Sequence, residues 1–429
     1  MMAIFLVAVA GLALQLLRLQ VFSSDRYVAW GEDQRLRTEP LPGERGDIVD
    51  RNGEELAISL QAPVVYADPL LVSDPAGEAA ALAPLLGLDE VDIHTRLASG
   101  GRFVYLQRPT TELIAEQVRA LDLDGVFIGE EPERFHPNDE SLARGLVGTV
   151  GVDNVGLSGI EAQYDQALAG TPGRLVSEQG LNGRSIPEGE RESLPAVDGA
   201  DVRLTIDRAL QFEVERALRE RVAASGGKGG TVIISDPTTG EVLAMTSVAA
   251  TDEGDVVTTS DNRSLTWTYE PASVMKAVTF AAVLDQGVAR PSSARNVHDT
   301  IELYEETFTD DILYGSKIMS VTDILVQSSN TGTISWAQDL GQETFYDYLL
   351  DFGFGSSTGL DFPGESPGIL EDVESWPGTH IATSAIGQSI AVTPMQMLAA
   401  YNTLANDGVY VPPTLVSNVG IEGETDGAD

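Results

Sequence analysis

The segment that opens at Ser273 constrains the fold of this chain most, because it predicts a buried helix with a serine and a lysine at its start. A mostly apolar run, residues 277–284, follows Lys276, and a helix that is apolar on nearly all sides has to be buried. Pro271 suits the position just before a first helical turn, and Gly287 suits a left-handed stop. Because residues i and i+3 share one face of a helix, we expect the side chains of Ser273 and Lys276 to lie next to each other.

A serine and a lysine in this arrangement can support nucleophilic catalysis. A serine hydroxyl is a poor nucleophile near neutral pH and needs an adjacent base. A lysine removed from water has a lowered pKa and can be that base. The free N–H groups at the start of a helix can stabilise a developing oxyanion. We therefore interpret Ser273 as a candidate nucleophile and Lys276 as its candidate base.

The same S-x-x-K pattern occurs a second time, at Ser225 and Lys228, where neighbouring glycines predict a loop. Taken alone, a pair such as Ser273 and Lys276 lies on the surface more often than in a catalytic site. However, the chain contains only three lysines, the third being Lys317. A lysine that opens a buried helix usually has a functional reason to be there. This context favours the catalytic interpretation for Ser273 and Lys276 only.

The charge of the chain excludes several classes of partner. The 429 residues, enough for two or three domains, include 66 acidic and 26 basic residues, for a net charge of −40. This charge argues against nucleic acid or an anionic membrane surface as a partner. It suits a salty exterior, or it reflects the general composition of the source organism's proteins. The absence of cysteine excludes cysteine nucleophiles, thiolate metal sites and disulfides.

The first residues predict a membrane anchor. Residues 3–17 are almost wholly apolar and are followed by Arg18. At ~1.5 Å per residue the run is short for a bilayer core of ~30 Å. We favour an uncleaved anchor over residues 1–22 rather than a cleaved signal peptide, because no small-x-small cleavage site follows.

The next segment, as far as residue 200, predicts a module without catalytic residues. A hairpin is expected around the tight turn Asn52–Gly53, with Arg45 and Asp50 bracketing its first strand and acting as a structural clamp. Helices are expected over Ala79–Leu86, over Glu112–Leu121, and from Gly159 through Leu168 with Ser158 as its cap. No cluster of acid and base residues occurs in this part of the sequence.

From Asp201 the pattern predicts a layered α+β domain. A strand over Val202–Ile206 precedes a helix over Ala209–Ala224 that Asp207 caps. Two strands, Gly230–Ser235 and Val242–Met245, flank a glycine-containing loop and predict a hairpin. We expect these strands to share a sheet against which the helix of Ser273 packs.

A second candidate site lies in Gln327–Gly332, between helices predicted over Val321–Val326 and Ile334–Leu340. From such a loop, the Ser328 hydroxyl could pass a proton and the Asn330 amide could hold a peptide group. The alternative is a plain capping turn between two helices. A literal S-D-N also occurs at Ser260–Asn262, and we interpret it as a turn.

Motifs along nearly the whole chain, in this order, resemble those of a class B penicillin-binding protein. The motifs are the apolar N-terminus, Arg45-Gly46 with Asp50-Arg51-Asn52-Gly53, Gly159-Ile160-Glu161, Leu204-Thr205-Ile206-Asp207 with Gln211, Asp236-Pro237 with Gly240, Tyr269-Glu270-Pro271 before Ser273 and Lys276, Ser328-Ser329-Asn330, and Gly387-Gln388 with Thr393-Pro394-Met395-Gln396. Two details, Glu270-Pro271 and Ala57-Ile58-Ser59, resemble the division-specific subgroup more than the elongation-specific one.

The resemblance implies an α+β protein with three parts. These are a membrane anchor (1–22), a pedestal or dimerisation-type module (23–200), and a penicillin-binding transpeptidase domain (201–429) related to the serine β-lactamases. It places the protein in the cytoplasmic membrane as a single-pass protein with its bulk outside. Its implied partners are peptidoglycan stem peptides, β-lactams, a glycosyltransferase, and divisome or elongation proteins, with no cofactor and no nucleic acid.

The resemblance also implies an activity, peptidoglycan D,D-transpeptidation. Ser273 would attack the penultimate D-alanine of a stem peptide, with Lys276 as base and its own N–H as an oxyanion donor. Ser328 would relay a proton to the leaving amine, and Asn330 would hold the stem-peptide amide. The resulting acyl-enzyme would pass to the amine of a neighbouring stem and form a crosslink.

The sequence departs from the family pattern in two places. Ala272 stands where the family has glycine, and we expect little effect. The K-T-G motif is missing, since no lysine follows Lys317. We expect it to lie beyond Asp429, which predicts that residues 1–429 alone are inactive and poorly stable because their sheet is incomplete. A divergent family member without K-T-G is the alternative.

Two other functions compete with this interpretation. One is a non-catalytic cell-wall scaffold or β-lactam-sensing module whose partners supply the chemistry. The other is a Ser-His-Asp hydrolase. Four histidines are available for it, but we expect no serine to stand in a G-x-S-x-G elbow. These histidines are His94, His136, His298 and His380.

Overall fold

The computed structural model describes residues 2–17, 36–41, 43–137, 142–178, 186, 189, 191–304 and 306–420. The first helix covers Met2–Leu17. Residues 18–22 of the predicted anchor and residues 421–429 of the acidic C-terminal segment lie outside this description. Within it, no helix has both the length and the apolar character needed to cross a membrane.

The structure is a mixture of strands and helices, as the sequence predicts. The strands are β1 (Leu36–Leu41), β2 (Ile48–Val49), β3 (Glu55–Ala67), β4 (Val104–Gln107), β5 (Val126–Phe135), β6 (Gly173–Glu178), β7 (Arg191–Leu194), β8 (Asp201–Leu204), β9 (Gly229–Ser235), β10 (Val242–Ala250), β11 (Val256–Thr258), β12 (Ala294–His298), β13 (Thr300–Leu303), β14 (Glu306–Thr309), β15 (Ser316–Ser320) and β16 (Val416–Gly420). The helices are α1 (Met2–Leu17), α2 (Pro75–Leu86), α3 (Glu90–Leu97), α4 (Glu112–Ala120), α5 (Arg144–Val147), α6 (Gly159–Gln163), α7 (Asp165–Leu168), α8 (Arg208–Ser225), α9 (Arg263–Thr266), α10 (Lys276–Asp285), α11 (Val321–Gln327), α12 (Asn330–Leu340), α13 (Gln342–Asp351), α14 (His380–Ala385) and α15 (Pro394–Ala405).

A mixed sheet in the order β16–β8–β2–β3–β4 combines strands from the N-terminal part of the chain with β16, and β5 also pairs with β3. The predicted hairpin β2–β3 is confirmed, and Gly53 holds its turn with a φ of 88°. Helices α2, α3 and α4 cover one face of this sheet, where Val65, Leu82 and Ile93 are fully buried.

Strand β8 does not join the sheet to which the sequence assigned it. It pairs in parallel with β2 and antiparallel with β16, whereas β9, β10 and β11 form a separate three-stranded sheet. The prediction that β8 shares a sheet with the β9–β10 hairpin is therefore wrong. Pairing across 154 residues, from Ile48 to Val202, leaves no local trace in a sequence.

Helix α8 packs against β10 and is anchored by buried polar groups. As predicted, the Asp207 side chain caps the helix, accepting a hydrogen bond from Leu210 N at 3.0 Å. Gln211 is fully buried, accepts from Met245 N at 2.8 Å and donates to Met245 O at 3.0 Å. It also donates to Glu215, a buried carboxylate, at 2.8 Å. These bonds fix the register of α8 on β10.

The second predicted cap is wrong, and so is the continuous helix that follows it. The segment after Ser158 forms two short helices, α6 and α7, that are broken at Tyr164. The Ser158 hydroxyl makes no cap bond and instead accepts from Thr149 N at 3.2 Å. The serine is therefore used by the neighbouring turn rather than by the helix that it precedes.

Arg45 belongs to a buried ionic cluster, as expected of a structural clamp. Its Nε lies 2.6 Å from Glu161 Oε2, and its Nη1 lies 2.7 Å from Asp165 Oδ1. Arg134 binds the other oxygen of Glu161 at 2.6 Å. The side chains of Arg45 and Glu161 are fully buried, and breaking such a group costs about 3–5 kcal/mol.

Asp50 ties the β2–β3 turn to the first turn of α8. Its carboxylate accepts from Asn52 N at 2.7 Å, Glu54 N at 2.9 Å and Arg208 N at 3.0 Å. Burial alone would raise the pKa of Asp50, but the backbone hydrogen bonds from Arg208, Glu54 and Asn52 bring the pKa below its usual value. The N-terminal sheet is thus joined to the helix that supports the β9–β10–β11 sheet.

The helix of the predicted nucleophile is buried, as predicted, at the centre of the largest apolar core. In α10, Val278, Phe280 and Val283 contact a core to which helices α12, α13, α14 and α15 contribute. The helix begins later than the sequence predicts, because Ala272–Met275 forms a separate 3-10 turn before Lys276.

Candidate active site

The 3-10 turn that carries Ser273 is held by close backbone contact with Gly387. Ala272 N donates to Gly387 O at 2.9 Å, and a Cβ at Gly387 would lie only 2.1 Å from Ala272 O. Ala272 itself adopts a φ of 51°, a conformation that glycine takes freely and alanine takes with strain. The requirement for a glycine at residue 387 therefore follows from the position of the nucleophile turn.

Lys276 lies at the first position of α10, and its side chain is only 1% exposed. Its Nζ donates to Ser328 O at 2.6 Å, to Ser328 Oγ at 3.1 Å and to Asn330 Oδ1 at 2.6 Å. These three bonds use all three N–H groups of a protonated lysine. The structure therefore brings together three of the four residues that the sequence selected.

The pKa of Lys276 is lowered from 10.5 to about 8. Burial is the main cause, because it penalises the charged form. The negative charges of Asp310 and Asp311 oppose this effect and keep the pKa from falling further. A base with a pKa close to neutral pH is unprotonated in an appreciable fraction of molecules and is still basic enough to accept a proton.

Ser273, the fourth residue, is exposed and lies three residues before Lys276. Among the described residues its hydroxyl makes no hydrogen bond, and the Nζ of Lys276 is directed to Ser328 and Asn330 instead. Loss of one proton leaves Lys276 with two N–H donors and frees one lone pair. That lone pair is what a proton transfer from the Ser273 hydroxyl requires.

The loop that carries Ser328 and Asn330 is a capping turn as well as part of this cluster. Ser328 ends α11 in a left-handed conformation with a φ of 53°, and the Ser329 side chain begins α12 by accepting from Gly332 N at 3.0 Å. Asn330 Nδ2 donates to Thr309 O at 2.9 Å, while its Oδ1 accepts from Lys276. The amide still has one free hydrogen and one free lone pair for a ligand.

Asp310 is a residue of this cluster that the sequence analysis missed. The residue is 9% exposed, and its carboxylate accepts from Ser329 Oγ at 2.7 Å, Tyr314 OH at 2.8 Å and Thr331 N at 3.0 Å. It lies on the loop after β14, almost twenty residues before the motif that it contacts. A pair of adjacent acids following a short strand is too common to mark such a role.

The decoy patterns lie outside this cluster. Ser225 ends α8 and donates to Val222 O at 3.1 Å, and Lys228 is exposed, as predicted for a loop. Ser260 belongs to the bend that precedes α9, so the literal S-D-N is a turn. The expectation that no serine stands in a G-x-S-x-G pattern is wrong, because the pattern occurs twice, around Ser357 and Ser366. Neither occurrence links a strand to a helix, and Ser366 N donates to Leu265 O.

A broad apolar groove of about 1120 Å³ runs along β9 beside the nucleophile turn. Trp267, Tyr269, Val274 and Tyr401 line it, and Tyr401 OH donates to Val274 O at 2.9 Å. Within the described part of the chain, β9 pairs with β10 alone. Its other edge therefore has no strand partner there.

Two family models match the chain. The penicillin-binding protein dimerisation domain matches residues 40–204, and the penicillin-binding protein transpeptidase domain matches residues 230–425.

The chain is also similar in sequence to known penicillin-binding proteins. Penicillin-binding protein PbpB of Mycolicibacterium smegmatis is 34% identical over 95% of this chain and 67% of its own length. Peptidoglycan D,D-transpeptidase FtsI of Escherichia coli is 31% identical over 95% of this chain and 70% of its own length. The chain spans about two thirds of the length of the curated relatives that it matches.

Solved structures extend the likeness to the fold. A peptidoglycan synthetase from Bifidobacterium adolescentis has a TM-score of 0.69 and 28% identity, covering 90% of this chain and 76% of its own. Penicillin binding protein 3 of Mycobacterium tuberculosis, complexed with aztreonam, has a TM-score of 0.65 and 27% identity, covering 90% of this chain and 69% of its own.

Proposed function

The chain belongs to the class B penicillin-binding proteins, and we propose that it carries the acylation centre of a peptidoglycan D,D-transpeptidase. The observation that supports this most directly is the buried Lys276, with a pKa of about 8 and hydrogen bonds to Ser328 and Asn330. A transpeptidase relative from Escherichia coli aligns with 95% of the chain.

In the proposed reaction, the Ser273 hydroxyl attacks the carbonyl carbon of the penultimate D-alanine in a stem peptide. The hydroxyl proton passes to neutral Lys276, and the Ser273 N–H stabilises the oxyanion. The C–N bond to the terminal D-alanine then breaks, and the departing amine receives a proton through Ser328. The product is an ester on Ser273 and free D-alanine.

The second half of the reaction regenerates the serine. The amine of a neighbouring stem peptide attacks the ester and gives up a proton to neutral Lys276. The C–O bond to Ser273 breaks, the Ser273 oxygen takes that proton back from Lys276, and the amide formed is the crosslink. Asn330 is proposed to hold the amide of the donor stem with the hydrogen-bonding capacity that Lys276 and Thr309 leave free. β-Lactams are proposed to acylate the same serine. The aztreonam complex of the similar penicillin binding protein 3 supports this step.

We propose the same division of the chain that the sequence predicts: an anchor over 1–22, a pedestal over 23–200 and a transpeptidase domain over 201–429. The apolar helix Met2–Leu17 supports a single-pass position in the cytoplasmic membrane with the bulk of the chain outside. A glycosyltransferase and proteins of the division or elongation machinery are the proposed partners.

The experiment is covalent labelling with a fluorescent penicillin, using the protein as its gene encodes it. Ser273→Ala should abolish labelling, because it removes the attacking oxygen. Ser225→Ala is the matched control, since it removes the serine of the other S-x-x-K pattern from an exposed helix end. Labelling that persists in Ser273→Ala, or labelling that peptide mapping assigns to another residue, would contradict the proposal.

A further inference from the structure

The Asp310 carboxylate occupies the N-terminal end of α12 and makes four hydrogen bonds there. Besides the bonds from Ser329 Oγ, Thr331 N and Tyr314 OH, it accepts from Thr331 Oγ1 at 3.4 Å. The side chain is 9% exposed, and each of its oxygens has two donors. A buried carboxylate that is so fully bonded holds its donors in fixed positions.

We propose that Asp310 is a positioning residue, which aligns Ser328 and Asn330 with Lys276 and sets the charge balance around that lysine. The inference rests on the proposed acylation of Ser273 by way of Lys276. The loop after β14, which matches no motif in the sequence, would thereby take part in the reaction.

The alignment follows from contacts on both sides of the motif. Asp310 holds Ser329 and Thr331, and the preceding residue, Thr309, accepts a hydrogen bond from Asn330 at 2.9 Å. The segment from Ser329 to Thr331 is thereby bonded to residues 309 and 310 at each of its three positions. This fixes the amide of Asn330 with its Oδ1 toward Lys276.

Ser328 needs such support because its backbone is strained. Its φ of 53° lies in the left-handed region, which costs a residue other than glycine about 1–2 kcal/mol. Both hydrogen bonds from Lys276 to Ser328 depend on this conformation, since one of them is to the Ser328 carbonyl at 2.6 Å. Fixing the next residue, Ser329, through Asp310 prevents the turn from relaxing.

The charge of Asp310 acts on Lys276 in a defined direction. Asp310 and Asp311 are the charged groups that affect Lys276, and both favour its protonated form. Burial acts the other way and dominates. Removing the charge of Asp310 should therefore lower the pKa of Lys276 further, while removing its hydrogen bonds should loosen the Ser328–Asn330 segment.

Asp299 provides a matched control on the same substructure. It is also 9% exposed and accepts from Gly315 N at 2.5 Å, from Tyr314 N and from Thr300 Oγ1 at 3.2 Å. It therefore stabilises the same loop by a comparable number of bonds. It makes none of the contacts to the Ser329–Thr331 segment that Asp310 makes.

The test measures the pKa of Lys276 directly and the pH profile of penicillin acylation alongside it. In the protein as its gene encodes it, ¹³C-lysine NMR separates buried Lys276 from exposed lysines such as Lys228 and Lys317, and the absence of its signal in Lys276→Arg assigns it. We expect Asp310→Asn to lower the pKa of Lys276 by roughly half a unit or more, as loss of one nearby opposite charge should. The plateau rate of acylation should fall about tenfold or more, because misalignment weakens catalysis.

Two further variants separate charge from geometry and from stability. Asp310→Glu should keep the pKa of Lys276 near its original value while lowering the plateau rate, because it retains the charge but moves the carboxylate. Asp299→Asn should lower the melting temperature about as much as Asp310→Asn and leave the pKa and the pH profile unchanged. The proposal is overturned if Asp310→Asn leaves both quantities as in the unaltered protein, or if Asp299→Asn moves them equally.

Failure of the proposed function would look different. In that case the unaltered protein would not be labelled by penicillin at Ser273. The NMR titration would still show whether Asp310 controls the pKa of Lys276.

Discussion

The rate of penicillin acylation should rise with pH through an apparent pKa of about 8, because in the proposed reaction only neutral Lys276 accepts the proton of Ser273. With this pKa, about one tenth of the molecules carry neutral lysine at pH 7 and about one hundredth at pH 6. The rate should therefore increase nearly tenfold from pH 6 to pH 7, about fivefold from pH 7 to pH 8, and level off above pH 9.

The size of the effect shows what burial of Lys276 contributes. A lysine at its ordinary pKa of 10.5 would be neutral in only about three molecules in ten thousand at pH 7. The lowered pKa therefore raises the reactive population about three-hundredfold, equivalent to about 3 kcal/mol. The sign follows from the charge of the group: neutral base is lost as the pH falls through 8 and is gained as the pH rises.

The suitable assay is the second-order rate constant of acylation, measured by stopped flow with limiting penicillin over the range from about pH 5.5 to about pH 9.5. This constant reports groups of the free protein, which is the state that the structure describes. A penicillin whose only ionisable group is its carboxylate removes titration of the reagent. The rate of penicillin hydrolysis without protein is subtracted at each pH.

Two outcomes would refute the reasoning. A rate that continues to rise tenfold per pH unit beyond pH 9 would mean that Lys276 keeps its ordinary pKa. A rate that is flat between pH 6 and pH 8 would mean that another group is the base. Melting temperatures measured across the same pH range exclude partial unfolding as the cause of a change in the acylation rate.

Three further predictions concern single residues. Lys276→Arg should reduce acylation about ten-thousandfold, because a guanidinium stays protonated, and a loss smaller than about tenfold would exclude lysine as the base. Glu161→Gln should reduce the free energy of unfolding, measured in urea, by about 3–5 kcal/mol, since two buried arginines lose the carboxylate that they share. The exposed Glu192→Gln should change it by less than about 1 kcal/mol, and equal effects would contradict the argument. Gly387→Ala should abolish acylation, because its Cβ would collide with Ala272 in the turn that carries Ser273. Gly254 also has a positive φ but open surroundings, so Gly254→Ala should cost only about 1–2 kcal/mol of stability and leave acylation intact.

The features of the site that the sequence predicts are those that depend on residues close together in the chain. The serine–lysine spacing, the apolar run after Lys276 and the turn between two helices at Ser328 all depend on residues within one or two helical turns. The structure brings Lys276, Ser328 and Asn330 into hydrogen-bond contact, although 52 residues separate the first two. The order of the family motifs supplied that juxtaposition, since nothing in the spacing could.

The features that escaped prediction depend on distant partners. Asp310 acquires its place in the site only when the loop after β14 meets the start of α12. Strand β8 has an alternation that fits either sheet, and its partners lie 154 residues upstream and more than 200 residues downstream. The Ser158 hydroxyl could cap the following helix or bind the preceding turn, and in the structure it accepts from Thr149 N, nine residues earlier.

The order of strands in the N-terminal sheet has a consequence for how the chain is made. Strand β8 lies between β2 and β16, and the hydrogen bond from Ser417 to Arg203 spans 214 residues. At a synthesis rate of ~5–20 residues per second, about 10–40 s pass between the appearance of β8 and that of β16. During this interval the nascent chain presents a strand edge that no part of it can yet cover. The time for which that edge stays open is therefore set by the speed of translation across residues 205–415, and not by the rate at which the strands can pair.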